Sequence, residues 1–350
     1  MTTDGSEHGN SYLRAEDPRE ARLQEIRRKA ALSGMASPAG DGDLMPHASP
    51  ETGYYGRPLL KRPQWSREIP LYFFCGGAAG AAAIIGTAAK LAGGDPGLVR
   101  DARYLAVLGA AVSPPLLISD LGMPSRFLNM FRVFKFQSPM SMGSWTLMVF
   151  SSSAAAAAFL GSWRRQCRGL FKVVEAAGEI ISTITGPIVS TYTGVLLGAT
   201  AIPAWNQSVG LLPLHFATSG MATAAAILEL RGHESPALNT VGIMTALGET
   251  AIGASIELQR SRALKPIKSG RAGWWARAGG ALSGPIPLIL RLLARGTDEK
   301  RNARLRKIAA ASAVAGSLAT RIAWTQAGAP SSRDTRLLLG TAAGNQTTGD

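Results

Sequence analysis

Long apolar runs separated by short polar or basic stretches make up most of this sequence. Eight runs are each close to the roughly 20 residues that a helix needs to cross a bilayer. They are residues 70–91, 103–119, 142–162, 179–202, 208–230, 239–258, 277–294 and 307–328. Proline interrupts the second run (Pro114 and Pro115), the fourth (Pro187) and the seventh (Pro285 and Pro287). The pattern predicts an all-α integral membrane protein, a bundle of about eight transmembrane helices in which the prolines cause kinks.

The same pattern divides the chain into three parts. Residues 1–56 form a polar N-terminal tail, residues 57–328 a transmembrane helical domain, and residues 329–350 a short polar C-terminal tail. Within the first tail, residues 11–31 predict a short charged helix, and residues 33–53 have the composition of a disordered linker. The tail is either a solvated extension or a docking arm for a partner subunit.

Small residues are concentrated in the predicted spans. The first span contains Gly76 and Gly80 as a GxxxG pair, and further runs of Ala, Ser and Gly follow in the third and eighth spans. In lipid, such residues let helix backbones approach closely. The glycines therefore predict tight helix packing, with contact to a ligand as the alternative.

Composition excludes several classes of protein. Only 17% of the 350 residues are charged, against about 25% in soluble domains. The net charge of +14 does not indicate nucleic-acid binding, because the basic clusters lie between apolar runs, where they orient helices and contact anionic lipid. Two cysteines, Cys75 and Cys167, are too few for an iron–sulfur or structural zinc site built from this chain alone. The counts of Lys and Arg in the loops do not decide which way the bundle faces.

Ionisable residues at membrane depth are the first candidates for function. Glu249 and Arg321 lie deepest in their spans, where a charge costs at least about 2.5 kcal/mol. They are either held structurally, by each other or by backbone carbonyls, or they belong to a proton path or polar cavity. His215 is expected to make a polar contact, since a haem between two histidines requires a second histidine at similar depth, and the others lie in the tail or a loop.

Asp120 ends the second span and begins the stretch "DLGMPSRFLNMFRVFKFQSPMSMGSW". This stretch combines one acid with three cations, Arg126, Arg132 and Lys135, and several aromatic residues. It is too apolar for a plain solvated loop. The composition predicts an amphipathic interfacial segment or a docking surface, with Pro139 at the start of the next helix.

Four motifs resemble those of the NrfD/polysulfide reductase (PsrC-like) family of integral membrane subunits. They are Trp65 to Gly77 ("WSREIPLYFFCGG"), Asp120 to Phe127 ("DLGMPSRF"), Phe134 to Trp145 ("FKFQSPMSMGSW") and Arg321 in the last span. The resemblance covers about residues 54–328 and leaves the N-terminal tail uncovered. The chain departs from the family pattern at Met123 and Ser125, where Arg and Glu are more usual, and at His215, where an apolar residue is more usual.

The resemblance implies a quinone-reactive subunit of the cell membrane that binds no haem or iron–sulfur cluster of its own. Menaquinone or ubiquinone would be its exchangeable substrate. Its partners would be a ferredoxin-like subunit with several iron–sulfur clusters and, often, a molybdopterin-type catalytic subunit. The quinone site of the family lies at the membrane end formed by the start of the first helix and the loop between the second and third helices.

Quinone chemistry suggests roles for residues at that end. A quinone site requires hydrogen-bond partners for two oxygens and a nearby proton donor or acceptor. Asp120 is the candidate proton acceptor, Tyr72 and Trp145 are expected to shape the pocket, and Glu68 is expected at the same membrane face. Arg126 would orient Asp120 or meet the partner together with Arg132 and Lys135. Alternatively, Asp120 and Arg126 form a structural pair that fixes the loop.

Two other functions remain open from the sequence. A proton- or ion-translocating subunit could use Glu249 and Arg321, as kinked helices and buried charges are typical of transporters. The two halves of the chain show no internal repeat, however, and the interfacial motifs would have no role. The other function is a purely structural membrane anchor.

Overall fold

The structure, a computed structural model, describes residues 60, 62–63, 65–121, 124–162 and 169–333, and every regular element in these residues is a helix. Within this part of the chain, six helices are long and apolar enough to cross a membrane. They are α1 (Glu68–Leu91), α2 (Pro96–Ser119), α3 (Pro139–Ser162), α4 (Leu170–Gly198), α6 (Leu211–Leu230) and α7 (Pro236–Leu258), with the short α5 (Pro203–Asn206) after α4. The first six predicted spans are confirmed as apolar helices, although α4 begins earlier than predicted.

The seventh and eighth predicted spans have a different form. The chain continues with a short 3-10 helix (Arg262–Leu264), α8 (Lys265–Lys268), α9 (Gly270–Ser283), α10 (Pro285–Ala294) and α11 (Glu299–Arg333). The seventh span is divided at Gly284, because Pro285 has no amide hydrogen to continue the helix. Gly284 also lies against α7, where a Cβ would be 2.8 Å from Thr250 Oγ1. The eighth span is one long helix rich in Ala, Ser and Thr. The all-helical membrane architecture is confirmed, and the count of eight spans stays a prediction.

Local sequence signals start the helices where the structure has them. The carboxylate of Asp95 accepts hydrogen bonds from the backbone N–H groups of Gly97 and Leu98, both at 3.1 Å, and a proline follows it at the first helical position of α2. Ser235 and Pro236 begin α7 in the same way. Such caps satisfy N–H groups that have no partner within the helix.

α1 lies at the centre of the bundle. In its apolar segment 78% of the residues are buried, against 22% in the apolar segment of α2. α1 packs against α2, α4, α6 and α11. Its closest approach is to α4, since a Cβ on Gly80 would lie 2.3 Å from the carbonyl oxygen of Gly186. The predicted role in tight packing is confirmed for Gly80. A Cβ on Gly76, its predicted companion, would make only an ordinary contact at 3.5 Å from Ser113 Oγ.

Short connections make successive long helices antiparallel, so the bundle has two ends. We call the end where α1 begins the entrance end; α2, α4, α7 and α11 end there, and α3, α6 and α9 begin there. The other end is called the opposite end. The predicted tail of residues 1–56, with its helix and linker, lies outside the described residues. α11 continues to Arg333, past the predicted boundary at residue 328.

Candidate functional site

Asp120 lies at the entrance end, immediately after α2. Its Oδ1 accepts a hydrogen bond from the backbone N–H of Ser66 at 2.9 Å. Ser66 follows Trp65 and comes just before Glu68, the first residue of α1. The bond therefore joins the segment that approaches α1 to the end of α2, and it places Glu68 and Asp120 at the same end of the bundle.

Tyr72 and Trp145 belong to α1 and α3 near the same end. Tyr72 is only 2% exposed, and its hydroxyl interacts with Tyr192 of α4. The Trp145 ring packs edge-on against Phe131 and Phe134, with centroids 5.7 and 6.0 Å away. Among the described residues, the buried indole Nε1 of Trp145 has no hydrogen-bond partner, and no hydrogen bond joins Tyr72 or Trp145 to Asp120.

The connection between α2 and α3 contains a 3-10 helix, Pro124–Phe131. Apolar side chains in this helix and after it are exposed, with Leu128 at 72% and Phe136 at 77%. Arg132 and Lys135 are exposed beside them. The side chain of Arg126 lies outside what the structure describes, so its predicted contact with Asp120 stays a prediction.

A large cavity lies at the entrance end next to Trp65, and we call it the entrance cavity. Its volume is about 860 Å³. Its wall includes the polar and aromatic residues Trp65, Ser66, Arg67, Arg271, Trp275 and Gln326, whereas Asp120, Tyr72 and Trp145 do not line it. Arg271 and Gln326 follow Trp65 by more than half of the chain and belong to no motif with it, so the sequence does not indicate that they lie near Trp65.

A chain of contacts leads from Trp65 into the centre of the bundle. The Trp65 ring stacks on that of Trp205 at 4.8 Å between centroids, and Trp205 Nε1 donates to the carbonyl oxygen of Trp324 at 2.8 Å. Trp324 Nε1 donates to His215 Nδ1 at 3.3 Å. Because Nδ1 accepts, a neutral His215 carries its hydrogen on Nε2 and donates it to Glu249 Oε2 at 3.2 Å. The expected polar contact of His215 is confirmed, and its partner is the deepest carboxylate.

Arg321 is fully buried where α1, α6 and α11 meet. Its Nε and Nη2 donate to the carbonyl oxygens of Phe73 at 3.4 Å and Phe216 at 3.1 Å, and Cζ lies 4.1 Å from the centroid of the Phe216 ring. Gly77 makes room, since a Cβ there would lie 3.1 Å from Nη2. Arg321 interacts electrostatically with Glu249, but no ion pair links the two among the described residues. Of the structural interpretations, pairing with backbone carbonyls holds for Arg321.

Glu249 lies in the wall of a second cavity, about 370 Å³ in volume, between α7, α9 and α11. We call it the Glu249 cavity; His215, Thr320 and Trp324 also line it. Ser283 Oγ donates to Glu249 Oε2 at 2.9 Å, so this oxygen accepts bonds from both Ser283 and His215. Glu249 Oε1 has no partner among the described residues.

Buried ion pairs also occur at the opposite end. Arg291 of α10 donates from Nη1 to Glu229 Oε1 at 2.9 Å and to Asn239 Oδ1 at 3.0 Å, and Arg306 of α11 reaches the same carboxylate at 2.8 Å. Glu229 is the penultimate residue of α6. The structure shows it 3% exposed, which the position in its own helix does not indicate.

Comparison with known proteins identifies the family. Residues 60–250 match the family model described as polysulphide reductase, NrfD. The match covers more than half of the chain and includes the first three motifs, those of Trp65–Gly77, Asp120–Phe127 and Phe134–Trp145, whereas Arg321 lies beyond it. No curated protein matches the chain. With the six apolar helices of its described residues, the chain is therefore a multi-pass membrane protein that belongs to the NrfD family, the membrane subunits of polysulphide reductase-like oxidoreductase complexes.

Proposed function

We propose that this chain is the quinone-reactive subunit of a multi-subunit oxidoreductase in the cell membrane. It exchanges electrons between menaquinone or ubiquinone and the iron–sulfur clusters of a ferredoxin-like partner, which a molybdopterin-type catalytic subunit accompanies. Family membership supports the proposal, because NrfD proteins typically assemble with iron–sulfur and molybdopterin subunits. In this proposal the chain holds no haem or cluster, so electrons pass directly between the quinone and the partner.

The Ser66–Asp120 hydrogen bond carries our assignment of the quinone site to the entrance end. Oxidation of a quinol releases two electrons, which go to the partner's clusters, and two protons, which need acceptors. Asp120 is a carboxylate held in place by one oxygen, so it can accept a proton without moving. The indole N–H of Trp145, which has no partner among the described residues, supports the assignment, since it can donate to a quinone oxygen. Tyr72 shapes the inner wall and Glu68 lies at the edge.

Substitution of Asp120 by Asn tests the site in the assembled complex. The amide oxygen of Asn can still accept from Ser66 N–H, so the fold is kept while the proton acceptor is lost. We expect quinol-driven reduction of the iron–sulfur partner to fall about 10²–10⁴-fold, the range for removal of a general base. Glu299→Gln, at an exposed carboxylate where α11 begins at the opposite end, is the matched control. Unchanged turnover in a folded Asp120→Asn complex would show that the site is elsewhere.

We assign the docking of the iron–sulfur partner to the exposed segment around the 3-10 helix. It offers apolar side chains beside Arg132 and Lys135, and a partner that receives electrons from the entrance end must lie there. The double charge reversal Arg132→Glu with Lys135→Glu should abolish co-purification of the partner. The same reversal at Lys300 and Arg304, exposed at the opposite end, should not. If both double variants lose the partner equally, the effect of charge reversal is general and this segment is not the docking surface.

A proton path through α6, α7 and α11 is a second candidate function. A pair of buried hydroxyls, Ser219 and Ser317 at 2.7 Å, lies on α6 and α11 between the Glu249 cluster and the buried carboxylate of Glu229. This series of polar groups favours proton transfer through Glu249, with Arg321 setting the local charge. Glu249→Gln is then expected to lower the membrane potential that turnover generates. An unaltered potential at normal turnover would remove this candidate and leave Glu249 with a structural role.

A further inference from the structure

The Glu249 cavity has the composition of a site for a small, largely apolar molecule. Its volume of about 370 Å³ lies within the roughly 300–1,000 Å³ of known ligand pockets. Most of its wall consists of small or apolar residues, among them Gly253, Ala254, Ala276, Gly280 and Ala281. It is distinct from the entrance end, because neither Trp65 nor Asp120 lines it.

Two buried polar atoms in this wall have no partner among the described residues. They are Glu249 Oε1 and Thr320 Oγ1, and the two residues are 1% and 3% exposed. A buried polar group without a hydrogen bond is destabilising, so each such group requires an explanation. Because the other carboxylate oxygen already accepts from His215 and Ser283, Oε1 is the atom left for a ligand.

The cavity is open between α7 and α9. A Cβ added to Gly253 or Gly280 would meet nothing within 4 Å, and Ala254 beside them is exposed. In a membrane this gap between two helices faces lipid, so a lipophilic molecule can reach Glu249 without passing through water. At the entrance end of the gap, Arg277 and Glu257 form an exposed ion pair at 3.1 Å, as expected where the wall meets the membrane surface.

We propose that the Glu249 cavity is a second quinol site, separate from the one at the entrance end. A quinol hydroxyl satisfies both unpartnered atoms, since it can donate to Glu249 Oε1 and accept from Thr320 Oγ1. An oxidised quinone has only acceptors and cannot donate to a carboxylate, so the reduced form binds more tightly. The apolar wall holds the ring, and the gap between α7 and α9 lets the isoprenoid tail extend into the bilayer. This inference rests on the proposed reaction with quinones.

Binding of a fluorescent quinol analogue, an alkyl-hydroxyquinoline N-oxide, to the full complex in lipid nanodiscs tests the second site. Gly280→Leu fills the gap where the structure has open space, and Gly253→Leu does so from the facing helix. Gly296→Leu is the matched control, because it also lies in open space but outside the cavity. We expect two classes of bound probe in the parent and the control, and one in each gap variant. Glu249→Gln and Thr320→Val should each weaken the second class about tenfold, the loss of one hydrogen bond.

The outcomes separate this inference from the proposed function. If the gap variants bind the probe as the parent does, the second site is wrong. If saturating quinol does not displace the second class of probe, the cavity holds lipid chains and the inference is also wrong. Asp120→Asn should leave the second class unchanged while it lowers turnover. A parent complex that oxidises no quinol would instead refute the proposed function, whatever the probe shows.

Discussion

At Arg321 we expect the substitution that keeps the positive charge, Arg321→Lys, to destabilise the protein more than the one that removes it, Arg321→Met. We compare Arg321→Lys with Arg321→Met. The guanidinium is fully buried and is held by two carbonyl oxygens and the Phe216 ring. Lysine keeps the positive charge but has no planar fork that reaches both carbonyls and stacks on the ring. Methionine removes the charge and fills a similar volume.

The contacts give the size of the two effects. Phe73 and Phe216 lie inside helices, so their carbonyl oxygens keep their helical hydrogen bonds without Arg321. In the Arg321→Met variant, each lost charged hydrogen bond removes about 1.5–3 kcal/mol of stabilisation, with the 3.4 Å bond contributing least. Loss of the ring contact removes up to ~2 kcal/mol more. The variant recovers the several kcal/mol that burying the charge costs, so the net change is within about 2 kcal/mol. Lysine retains the burial cost and loses one bond and the stacking, so we expect about 2–4 kcal/mol of destabilisation.

Thermal unfolding of the complex in detergent, followed by loss of the monodisperse elution peak, measures the order. We expect the parent to be most stable, then Arg321→Met, then Arg321→Lys. Combining Arg321→Met with Glu249→Gln tests the through-space interaction of these residues. The destabilisation of the double variant should be smaller than the sum of the two single destabilisations by at least about 1 kcal/mol. If Arg321→Lys is as stable as the parent, a point charge suffices and the carbonyl contacts are not what holds Arg321.

Two further predictions concern packing and buried charge. Gly80→Ala should destabilise the protein by about 1–3 kcal/mol, because its Cβ would overlap the Gly186 carbonyl. Gly253→Ala, in open space, should have little effect. Equal melting temperatures of the two variants would contradict the close crossing of α1 and α4. Glu229→Gln should destabilise by about 3–5 kcal/mol, since it leaves Arg291 buried without a counter-charge. Breaking the exposed Glu257–Arg277 pair should change stability by less than about 1 kcal/mol. Similar losses in these two variants would mean that Glu229 is accessible to water.

The features that the sequence predicted correctly are those set by neighbouring residues. Hydropathy over about 20 residues is a local property, and it identified the first six spans. The end of α2 at Asp120 and the start of α3 at Pro139 were likewise indicated by residues next to them. The interruption of the seventh run by Pro285 was also visible in the sequence, and the structure divides this run between two helices at Gly284.

The features that the sequence did not predict depend on which helices meet. His215 and Glu249 were identified separately, but nothing in either span indicates that α6 and α7 bring them within 3.2 Å. The same holds for Glu229 and Arg291, which belong to α6 and α10. The wall of the entrance cavity combines the approach to α1 with α9 and α11, and this adjacency follows only from the assembled bundle.

The hydrogen bond from Trp324 decides how charge is distributed around Glu249. A protonated His215 would carry a hydrogen on Nδ1, facing the Trp324 N–H that now donates to that atom. Protonation would therefore break this bond and disturb Trp324, whose carbonyl oxygen also holds the Trp205 indole N–H. The two contacts of the ring therefore fit the neutral tautomer with its hydrogen on Nε2, which donates to Glu249 Oε2 without adding a positive charge. Arg321 is a buried cation that interacts electrostatically with this carboxylate, and no ion pair joins the two among the described residues. A proton or a quinol hydroxyl can consequently bind at Glu249 Oε1 without displacing a salt-bridge partner.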